Sequence, residues 1–202
     1  SKEALHNVKR DNISLDAYSA LQRQFNVIDV PVYCEMILGL PGETKQSWID
    51  GIEKCLETGL NNSLFVYQAE IYPNTELNEQ YYREKHSIRT KIIELTEIHC
   101  LPRGENYVPE YQEILIGTYS MDTDDWKQMT VFSLVTMLFH SMKLGYFLIA
   151  YLTDQLGMRA VDLIVYCCEN LAPDQKSSFF ENEILDEFRR YTDRILQGHG
   201  RG

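Results

Sequence analysis

The first part of the chain alternates helical hydrophobic patterns with short apolar runs. Apolar residues recur at helical spacing over residues 2–26, which predicts one or two short amphipathic helices, with Ser14 as the cap of the second. The continuous apolar run 31–38 predicts a strand that is covered on both faces. A tight turn over residues 39–44 follows, in which Thr44 is placed to cap the next helix.

A helix and a second strand follow this turn. Trp48, Ile52 and Cys55 lie on one face of the predicted helix, and Gly59 ends it. The second strand is predicted over residues 63–71. Strand, helix and strand together occupy about forty residues, which is the size of a βαβ unit with two parallel strands.

The pattern changes beyond residue 76. Residues 76–98 are charged and predict a helix, residues 101–104 a break, and residues 111–119 one more strand. Helices dominate from residue 122, and an almost fully apolar helix over residues 131–142 is predicted to be central. Three further helices are expected at residues 144–156, 161–170 and 178–197. The sequence therefore predicts two domains, an α/β part over residues 1–80 and a mainly helical domain over residues 81–202.

Charge and hydropathy narrow the possible partners. The chain has 19 basic and 30 acidic side chains, and its net charge of −11 argues against a nucleic-acid-binding surface and against adhesion to anionic lipid. The longest apolar stretch, residues 131–152, contains Ser133, His140 and Lys143. It is typical of a buried helix pair rather than of a membrane span.

The cysteines follow no recognisable ligand spacing. They are odd in number and no Cys-x-x-Cys motif occurs, which argues against a disulfide framework, structural zinc and a complete iron–sulfur ligand set. Their positions are Cys34, Cys55, Cys100, Cys167 and Cys168. We therefore expect a cytoplasmic protein with reduced thiols and no metal ligands in this chain.

One acidic residue interrupts the first apolar strand. Alternation places Tyr33, Glu35, Ile37 and Gly39 on one face of that strand. An unpaired buried carboxylate would cost several kcal/mol, so Glu35 requires a partner. It is either a structural acid, paired with backbone or an arginine, or an acceptor for ligand hydroxyls at the end of a parallel sheet.

Further candidates lie on the second strand and in the turn. Val66, Gln68 and Glu70 share one face of the second strand, where two polar residues indicate either a site or a wet interior. Gly39 and Gly42 permit close approach of a ligand to the backbone. No pair of residues is suited to acid–base or nucleophilic catalysis, so we expect no catalytic residue in this chain.

Three segments resemble the radical S-adenosylmethionine (SAM) superfamily. Residues 35–44, Glu-Met-Ile-Leu-Gly-Leu-Pro-Gly-Glu-Thr, resemble the fifth-strand motif of its partial barrel. Residues 72–77 are similar to the Pro-Gly-Thr-Pro-Leu element after the sixth strand, with Asn74 in place of glycine. Residues 5–12, with Arg10 before Asn12, resemble the helix after the fourth strand.

The resemblance implies a fold and a subgroup. The expected fold class is α/β plus α: the C-terminal portion of a partial (β/α)6 TIM-like barrel followed by a mainly helical domain. The nearest subgroup is that of radical SAM proteins with a cobalamin-binding domain, similar to the anaerobic magnesium-protoporphyrin IX monomethyl ester oxidative cyclase. Residues 111–126 also resemble the C-terminal region of that subgroup.

The resemblance also implies roles for individual residues. Glu35 matches the acid that hydrogen-bonds the SAM ribose, and Ile37 matches the apolar residue against adenine. Gly39 would let the nucleoside approach the strand end, and Arg10 matches an arginine near the methionyl or ribose moiety.

Val66 and Gln68 would lie near the adenine or the substrate. In the full-length family a [4Fe–4S] cluster cleaves SAM reductively, and the resulting radical abstracts a hydrogen from the substrate. Cobalamin is a possible further cofactor of such a protein.

The cluster cysteines, the first four strands and a cobalamin domain have no counterpart in this sequence. We therefore expect the chain alone to be catalytically incomplete and to bind none of these cofactors by itself. Its expected partners are the N-terminal part of the same polypeptide and a small-molecule substrate of unknown identity. Two alternatives stay open: a non-enzymatic α/β-helical binding module in which Glu35 and Gln68 are structural, and another (β/α)-barrel enzyme.

Overall fold

Two short helices open the structure, a computed structural model that describes residues 1–57, 63–95, 108–169 and 180–200. They are α1 (Lys2–Asn7) and α2 (Leu15–Val27). The hydroxyl of Ser14 accepts a hydrogen bond from the backbone N–H of Ala17, so Ser14 caps α2. The predicted helices over residues 2–26 and their cap are confirmed.

The predicted βαβ unit consists of β1 (Cys34–Leu38), α3 (Lys45–Glu57) and β2 (Leu64–Gln68). The two strands are parallel, and Cys34 lies opposite Leu64. Trp48 and Ile52 of α3 are buried in the core, as the helical pattern predicts. This part of the fold is confirmed, whereas Gly59, the predicted end of the helix, lies outside the described residues.

The predicted strand over residues 63–71 is wrong in one respect, because it forms two strands in two sheets. Beyond β2, β3 (Glu70–Ile71) joins an antiparallel sheet of order β3–β5–β4, with β4 at Arg89–Glu94 and β5 at Tyr111–Gly117. The change of sheet occurs at the buried Ala69. Its N–H donates to the Leu38 carbonyl over 2.9 Å, and its carbonyl accepts from the Leu115 N–H over 2.8 Å.

The predicted single helix over residues 76–98 is also wrong. A 3-10 turn (Glu76–Asn78) and the short α4 (Gln80–Lys85) are followed by β4. The helix ends because Ser87 adopts the left-handed backbone conformation, with φ at 48°. In β4 the side chains then alternate, with Ile93 buried and Ile92 exposed. The predicted break at residues 101–104 lies outside the described residues.

Helices dominate the remainder, as the sequence predicts. They are α5 (Thr123–Thr136), which continues as a wider π-type turn (Met137–Ser141), α6 (Tyr146–Leu156), α7 (Asp162–Glu169), a second π-type turn (Phe180–Leu185) and α8 (Asp186–Gln197). The Asp122 carboxylate caps α5 by accepting from the Asp125 N–H over 2.8 Å. The strand predicted over residues 111–119 is confirmed as β5, while residues 170–179 of the predicted helices lie outside the described part of the chain.

The central position predicted for the apolar helix is confirmed by α5. Its Trp126, Phe132 and Val135 are buried in the same core as Leu38 of β1 and Leu64 of β2. The core therefore contains residues from both sides of position 80, and the division into two domains stays a prediction.

Two buried polar contacts attach α3 to the helical layer. The Trp48 indole N–H donates to the Ser133 hydroxyl over 3.0 Å. The buried Glu53 carboxylate accepts from the backbone N–H groups of Ala160 and Val161 over 3.1 and 2.9 Å, immediately before α7 begins. These bonds satisfy a buried charge and fix the start of α7 against α3.

No helix within the described ranges is by itself long and apolar enough to cross a membrane. The segments Thr123–Ser141 and Tyr146–Leu156 meet the length and composition test only as a pair, and they are bent by 89°. The strands of the described residues form one parallel and one antiparallel sheet without closing a barrel. The partial-barrel expectation therefore stays a prediction.

Candidate functional site

One side of the β1–β2 sheet is largely left open by the described elements of the chain, although its Ile37 packs against the small core of Ala69, Ile71 and Leu115. Tyr33, Glu35 and Ile37 lie on this side of β1, and the parallel register places Phe65 opposite Glu35 and Tyr67 opposite Ile37. Paired residues of parallel strands point to the same side of the sheet. We call these five residues the open face. The predicted coverage of β1 on both faces is therefore wrong for the described residues.

The open face is aromatic and carries one carboxylate. Tyr33 is 61% exposed, Tyr67 46% and Phe65 38%. The rings of Tyr33 and Phe65 meet edge to face with their centroids 5.9 Å apart. Three neighbouring aromatic rings on a protein surface are typical of a binding site.

Glu35 is exposed on this face, and within the described ranges its side chain has one hydrogen-bond partner. The Tyr67 hydroxyl donates to Glu35 Oε1 over 3.5 Å, which is a long and weak hydrogen bond. Partial burial, followed by the charge and hydrogen bond of Glu35, raises the pKa of Tyr67. Glu35 therefore keeps acceptor capacity for a ligand, and a buried structural role does not describe it.

The strand ends in a turn whose two glycines have left-handed backbone. Gly39 has φ at 101° and Gly42 φ at 94°. A Cβ at Gly42 would lie 2.8 Å from Asn7 Nδ2 and 3.0 Å from the Ala4 backbone nitrogen. Only glycine therefore fits at Gly42, because α1 packs directly against the turn.

Hydrogen bonds from two distant segments hold this turn. Asn7 Nδ2 donates to the Pro41 carbonyl over 3.0 Å, and the Ser1 hydroxyl donates to the Gly42 carbonyl over 3.1 Å. The Gly42 N–H in turn donates to the Ser120 hydroxyl over 2.9 Å, from the loop between β5 and α5. The sequence did not single out Asn7 or Ser120, because nothing local marks a residue that bonds a turn far along the chain.

The start of α3 is fixed by a reciprocal cap. The Ser47 N–H donates to the Thr44 hydroxyl over 3.1 Å, and the Thr44 N–H donates to the Ser47 hydroxyl over 2.9 Å. The Ser47 hydroxyl also bonds the buried Glu43 carboxylate. The predicted cap at Thr44 is confirmed.

Val66 and Gln68 lie on the side of the sheet that faces the helices. Gln68 Oε1 accepts from the Trp126 indole N–H over 2.9 Å, and Gln68 Nε2 donates to the Thr130 hydroxyl over 3.3 Å. Val66 packs against the core. The structure therefore does not bring these two residues together with Glu35 and Ile37, and it gives Gln68 a structural role in joining β2 to α5.

Gly39 and Arg10 lie outside the open face as well. Gly39 is buried, and a Cβ there would lie 3.5 Å from the Leu115 side chain and 3.8 Å from Trp126. Arg10 is exposed and lines a pocket of about 370 Å³ with Lys9, Glu76 and Lys85.

The wall of this pocket contains an ion pair. Lys9 Nζ lies 2.7 Å from Glu76 Oε2, and the Tyr81 hydroxyl donates to Glu76 Oε1 over 2.5 Å. The Lys9 and Tyr81 hydrogen bonds lower the pKa of Glu76. The nearby Asn74 has φ at 66°, so this asparagine adopts the conformation that the family's glycine would supply.

A second pocket, of about 270 Å³, lies between α3, α5, α7 and α8. Its apolar wall includes Ile49, Phe132 and Val165. The charged side chains at its rim are paired, with Lys45 3.3 Å from Glu169 and Lys127 2.6 Å from Asp193. No motif in the sequence indicated this pocket.

The described residues do not supply ligands for an iron–sulfur cluster. Across residues 1–57, 63–95, 108–169 and 180–200, no three His, Cys, Asp or Glu side chains converge as a metal site. Cys167 and Cys168 lie on α7, away from the strands. A cluster therefore does not fit the described part of this chain.

The sequence analysis did not predict Phe65 and Tyr67 of the open face as site residues. Phe65 and Tyr67 alternate with Leu64, Val66 and Gln68, so the alternation was visible. The sequence could not show which alternate set shares a side with Glu35, because that depends on the register between β1 and β2.

Sequence comparisons with known proteins relate this chain to two methyltransferases. The chain is 32% identical over 157 residues to the cobalamin-dependent radical SAM methyltransferase TokK of Streptomyces tokunonensis, which covers 77% of this chain and 23% of the relative. It is 31% identical over 126 residues to the 2-(S-pantetheinyl)-carbapenam-3-carboxylate methyltransferase of Streptantibioticus cattleyicolor, covering 61% of this chain and 18% of the relative. No family model matches the chain.

These relatives support the radical SAM resemblance at the level of the superfamily and its cobalamin-binding subgroup. By its name the first relative is a cobalamin-dependent radical SAM protein, and both relatives are methyltransferases. The chain spans less than a quarter of the length of the curated relatives it matches.

Proposed function

We propose that this chain forms the SAM-facing βαβ unit and the following helical layer of a cobalamin-dependent radical SAM methyltransferase. The observation that carries the proposal is the open face: an exposed carboxylate, Glu35, among three aromatic rings on a parallel strand pair. In the proposed complex Glu35 accepts hydrogen bonds from the ribose hydroxyls, and Ile37 packs against the adenine. The adjoining aromatic rings exclude water from the nucleoside.

Methyl transfer is the reaction we propose, because both relatives are methyltransferases by name. The narrower resemblance to an oxidative cyclase rests on residues 111–126 and is the second candidate reaction. The substrate is a small molecule that the sequence does not identify. The chain by itself is expected to be catalytically incomplete, with the cluster and cobalamin held by another part of the same polypeptide.

The cofactors would supply the radical and the methyl group. The residues of this chain would bind SAM and orient it. Glu35 would fix the ribose through charge-assisted hydrogen bonds, which are stronger than neutral ones. The glycine turn after β1, pinned by Asn7 and Ser120, would hold the strand end in place while SAM binds. Arg10 would offer a positive charge in the pocket that it lines.

A non-enzymatic binding module is the alternative function. Gln68 favours it in part, because its amide is fully engaged with Trp126 and Thr130 and has a structural role. Nucleoside binding distinguishes the two functions, because a module of the alternative kind would use the open face for a different ligand.

The first experiment measures nucleoside binding by the longer protein that the proposal implies, because the chain alone is not expected to bind SAM. We expect the ring NMR signals of Tyr33 and Tyr67 to shift on titration with 5′-methylthioadenosine, which carries the adenine and ribose without the methionyl group. Glu35→Ala should weaken this binding by roughly 1–3 kcal/mol. The control variant is Glu57→Ala, at an exposed position at the end of α3, and it should bind normally.

The second experiment uses the longer protein that the proposal implies. Reconstituted anaerobically with iron and sulfide, it should release 5′-deoxyadenosine when reduced with SAM, and Glu35→Ala should raise the SAM concentration needed for half-maximal release. Equal SAM dependence in Glu35→Ala and Glu57→Ala would remove Glu35 from the site. Absence of 5′-deoxyadenosine release from a reconstituted, reduced protein would overturn the radical SAM assignment.

A further inference from the structure

The cavity between α3, α5, α7 and α8 has an apolar interior. Its wall includes Ile49, Phe132 and Val165, which come from three of these helices. Thr192 of α8 also lines the cavity, and its hydroxyl already donates to the Arg189 carbonyl over 2.7 Å. The interior therefore offers contacts to an apolar group, and this hydroxyl needs no polar partner from a ligand.

The cavity is large for a space between packed helices. Native protein interiors contain few voids larger than a water molecule. An apolar cavity of about 150 Å³ takes a benzene ring. The volume of about 270 Å³ therefore has room for one aromatic ring together with a short chain. Spaces between helices are also among the places where proteins bind small molecules.

The rim of the cavity is more basic than the chain as a whole. Three cationic side chains and two carboxylates line it, whereas the whole chain has 19 basic and 30 acidic side chains. Two of the cations are neutralised by a neighbouring helix, with Lys45 3.3 Å from Glu169 and Lys127 2.6 Å from Asp193. Arg189 is the third cation, and it gives the rim its surplus of positive charge.

Arg189 is held in place only by a weak pair on its own helix. Its Nη1 donates to Asp186 over 3.1 Å, one turn earlier on α8, and both side chains are about half exposed. Exposed ion pairs of this kind contribute little, because water screens them. A guanidinium has five N–H donors and binds carboxylates in a bidentate manner. Arg189 can therefore bind a carboxylate at the rim without leaving a buried charge unpaired.

We propose that this cavity binds a small monocarboxylate with an apolar tail, such as an arylalkanoate. The tail lies against Phe132 and Val165, and Arg189 binds the carboxylate at the rim. The Lys45 and Lys127 ion pairs stay intact, because the ligand's single negative charge is matched by Arg189. The site is independent of the proposed function, since its walls are helices and Glu35 belongs to the open face of the sheet.

The test compares two probes that differ in charge alone. They are hydrocinnamate, a phenyl ring on a short carboxylate chain, and its neutral amide. All walls of the cavity belong to the 202-residue chain, which is therefore the protein to titrate. We expect the methyl NMR signals of Ile49 and Val165 to shift saturably with both probes. The acid should bind about tenfold more tightly than the amide, as for one charge-assisted contact at a partly exposed site.

Three variants separate the carboxylate contact from the apolar contact. Arg189→Gln should remove the preference for the acid and leave the affinity for the amide unchanged. Arg190→Gln is the matched control, because Arg190 is the next residue of α8, is 61% exposed and does not line the cavity. It should keep the tenfold preference. Val165→Phe fills the cavity with a ring and should abolish the binding of both probes.

The proposal has four outcomes that would overturn it. One is the absence of saturable shifts with hydrocinnamate, and another is equal affinity of the wild-type chain for the acid and the amide. An equal loss of preference in Arg189→Gln and Arg190→Gln would show a general effect of charge on the acid. Unchanged binding by a folded Val165→Phe protein would place the probes outside the cavity. The two arginine variants change exposed side chains, so the test does not depend on how well Val165→Phe folds.

Discussion

The two sides of the β1–β2 sheet carry alternate residues of the same two strands and differ in almost every property. The helix-facing side is apolar and packed, and its one amide, Gln68, is bonded to Trp126 and Thr130. The open face is aromatic and mostly exposed, and among the described residues its carboxylate has one long hydrogen bond, from Tyr67. The difference teaches that a polar residue in a strand is structural where its bonds are complete and available for a ligand where they are not.

The largest effect is expected from truncating the packed side. Trp126→Ala removes a fully buried ring and the partner of Gln68, and it should lower the free energy of unfolding by about 3–5 kcal/mol. Urea denaturation followed by circular dichroism measures the change.

Phe65→Ala on the open face is the matched truncation. Phe65 is 38% exposed, so its loss should cost less than about 1 kcal/mol. Similar losses of unfolding free energy for Trp126→Ala and Phe65→Ala would show that the open face is packed in solution, and the two sides of the sheet would then not differ in packing.

A smaller effect is expected from exchanging the two polar residues. Gln68→Leu leaves the Trp126 N–H and the Thr130 hydroxyl without their amide partner, and it should cost about 1–2 kcal/mol of stability. Glu35→Gln should change stability by less than about 0.5 kcal/mol, as for an exposed position. A stability loss for Glu35→Gln equal to that for Gln68→Leu would make Glu35 structural.

The smallest effect concerns the ionisation of Tyr67. Partial burial and Glu35 hold its pKa above the ordinary value, so the native state is favoured below the unfolded pKa, and this contribution is lost as pH rises through the folded pKa. Glu35→Gln should therefore move the tyrosinate absorbance of Tyr67 to lower pH. Phe65→Ala, which leaves Glu35 in place, serves as the control. An identical titration of Tyr67 in wild type and in Glu35→Gln would show that Glu35 does not influence the pKa of Tyr67.

Local patterns predicted much of the fold. The caps at Ser14 and Thr44 and the parallel βαβ unit follow from short-range spacing, and the structure has them. The change of sheet at Ala69 and the strand β4 depend on pairing with β5, which comes later in the chain. Such non-local pairing leaves no signal in a short window.

The candidate site shows the same limit in another form. Alternation along β1 correctly separated Glu35 and Ile37 from Cys34 and Met36. Alternation along β2 separated Phe65 from Val66 equally well. Which of these two residues lies on the same side of the sheet as Glu35 depends on the register between the strands. A shift of one residue exchanges the sides, and for this reason the sequence could not show that Val66 and Gln68 face the helices.

The peptide groups of Ala69 carry a mechanical consequence. One bond ties them to Leu38 at the end of the parallel pair, and the other ties them to Leu115 in the antiparallel sheet. Any hinge motion between the two sheets must break at least one of these bonds, which join buried residues. A ligand that tightens the end of β1 would therefore be felt as slower amide exchange at Leu115, in a sheet that it does not touch.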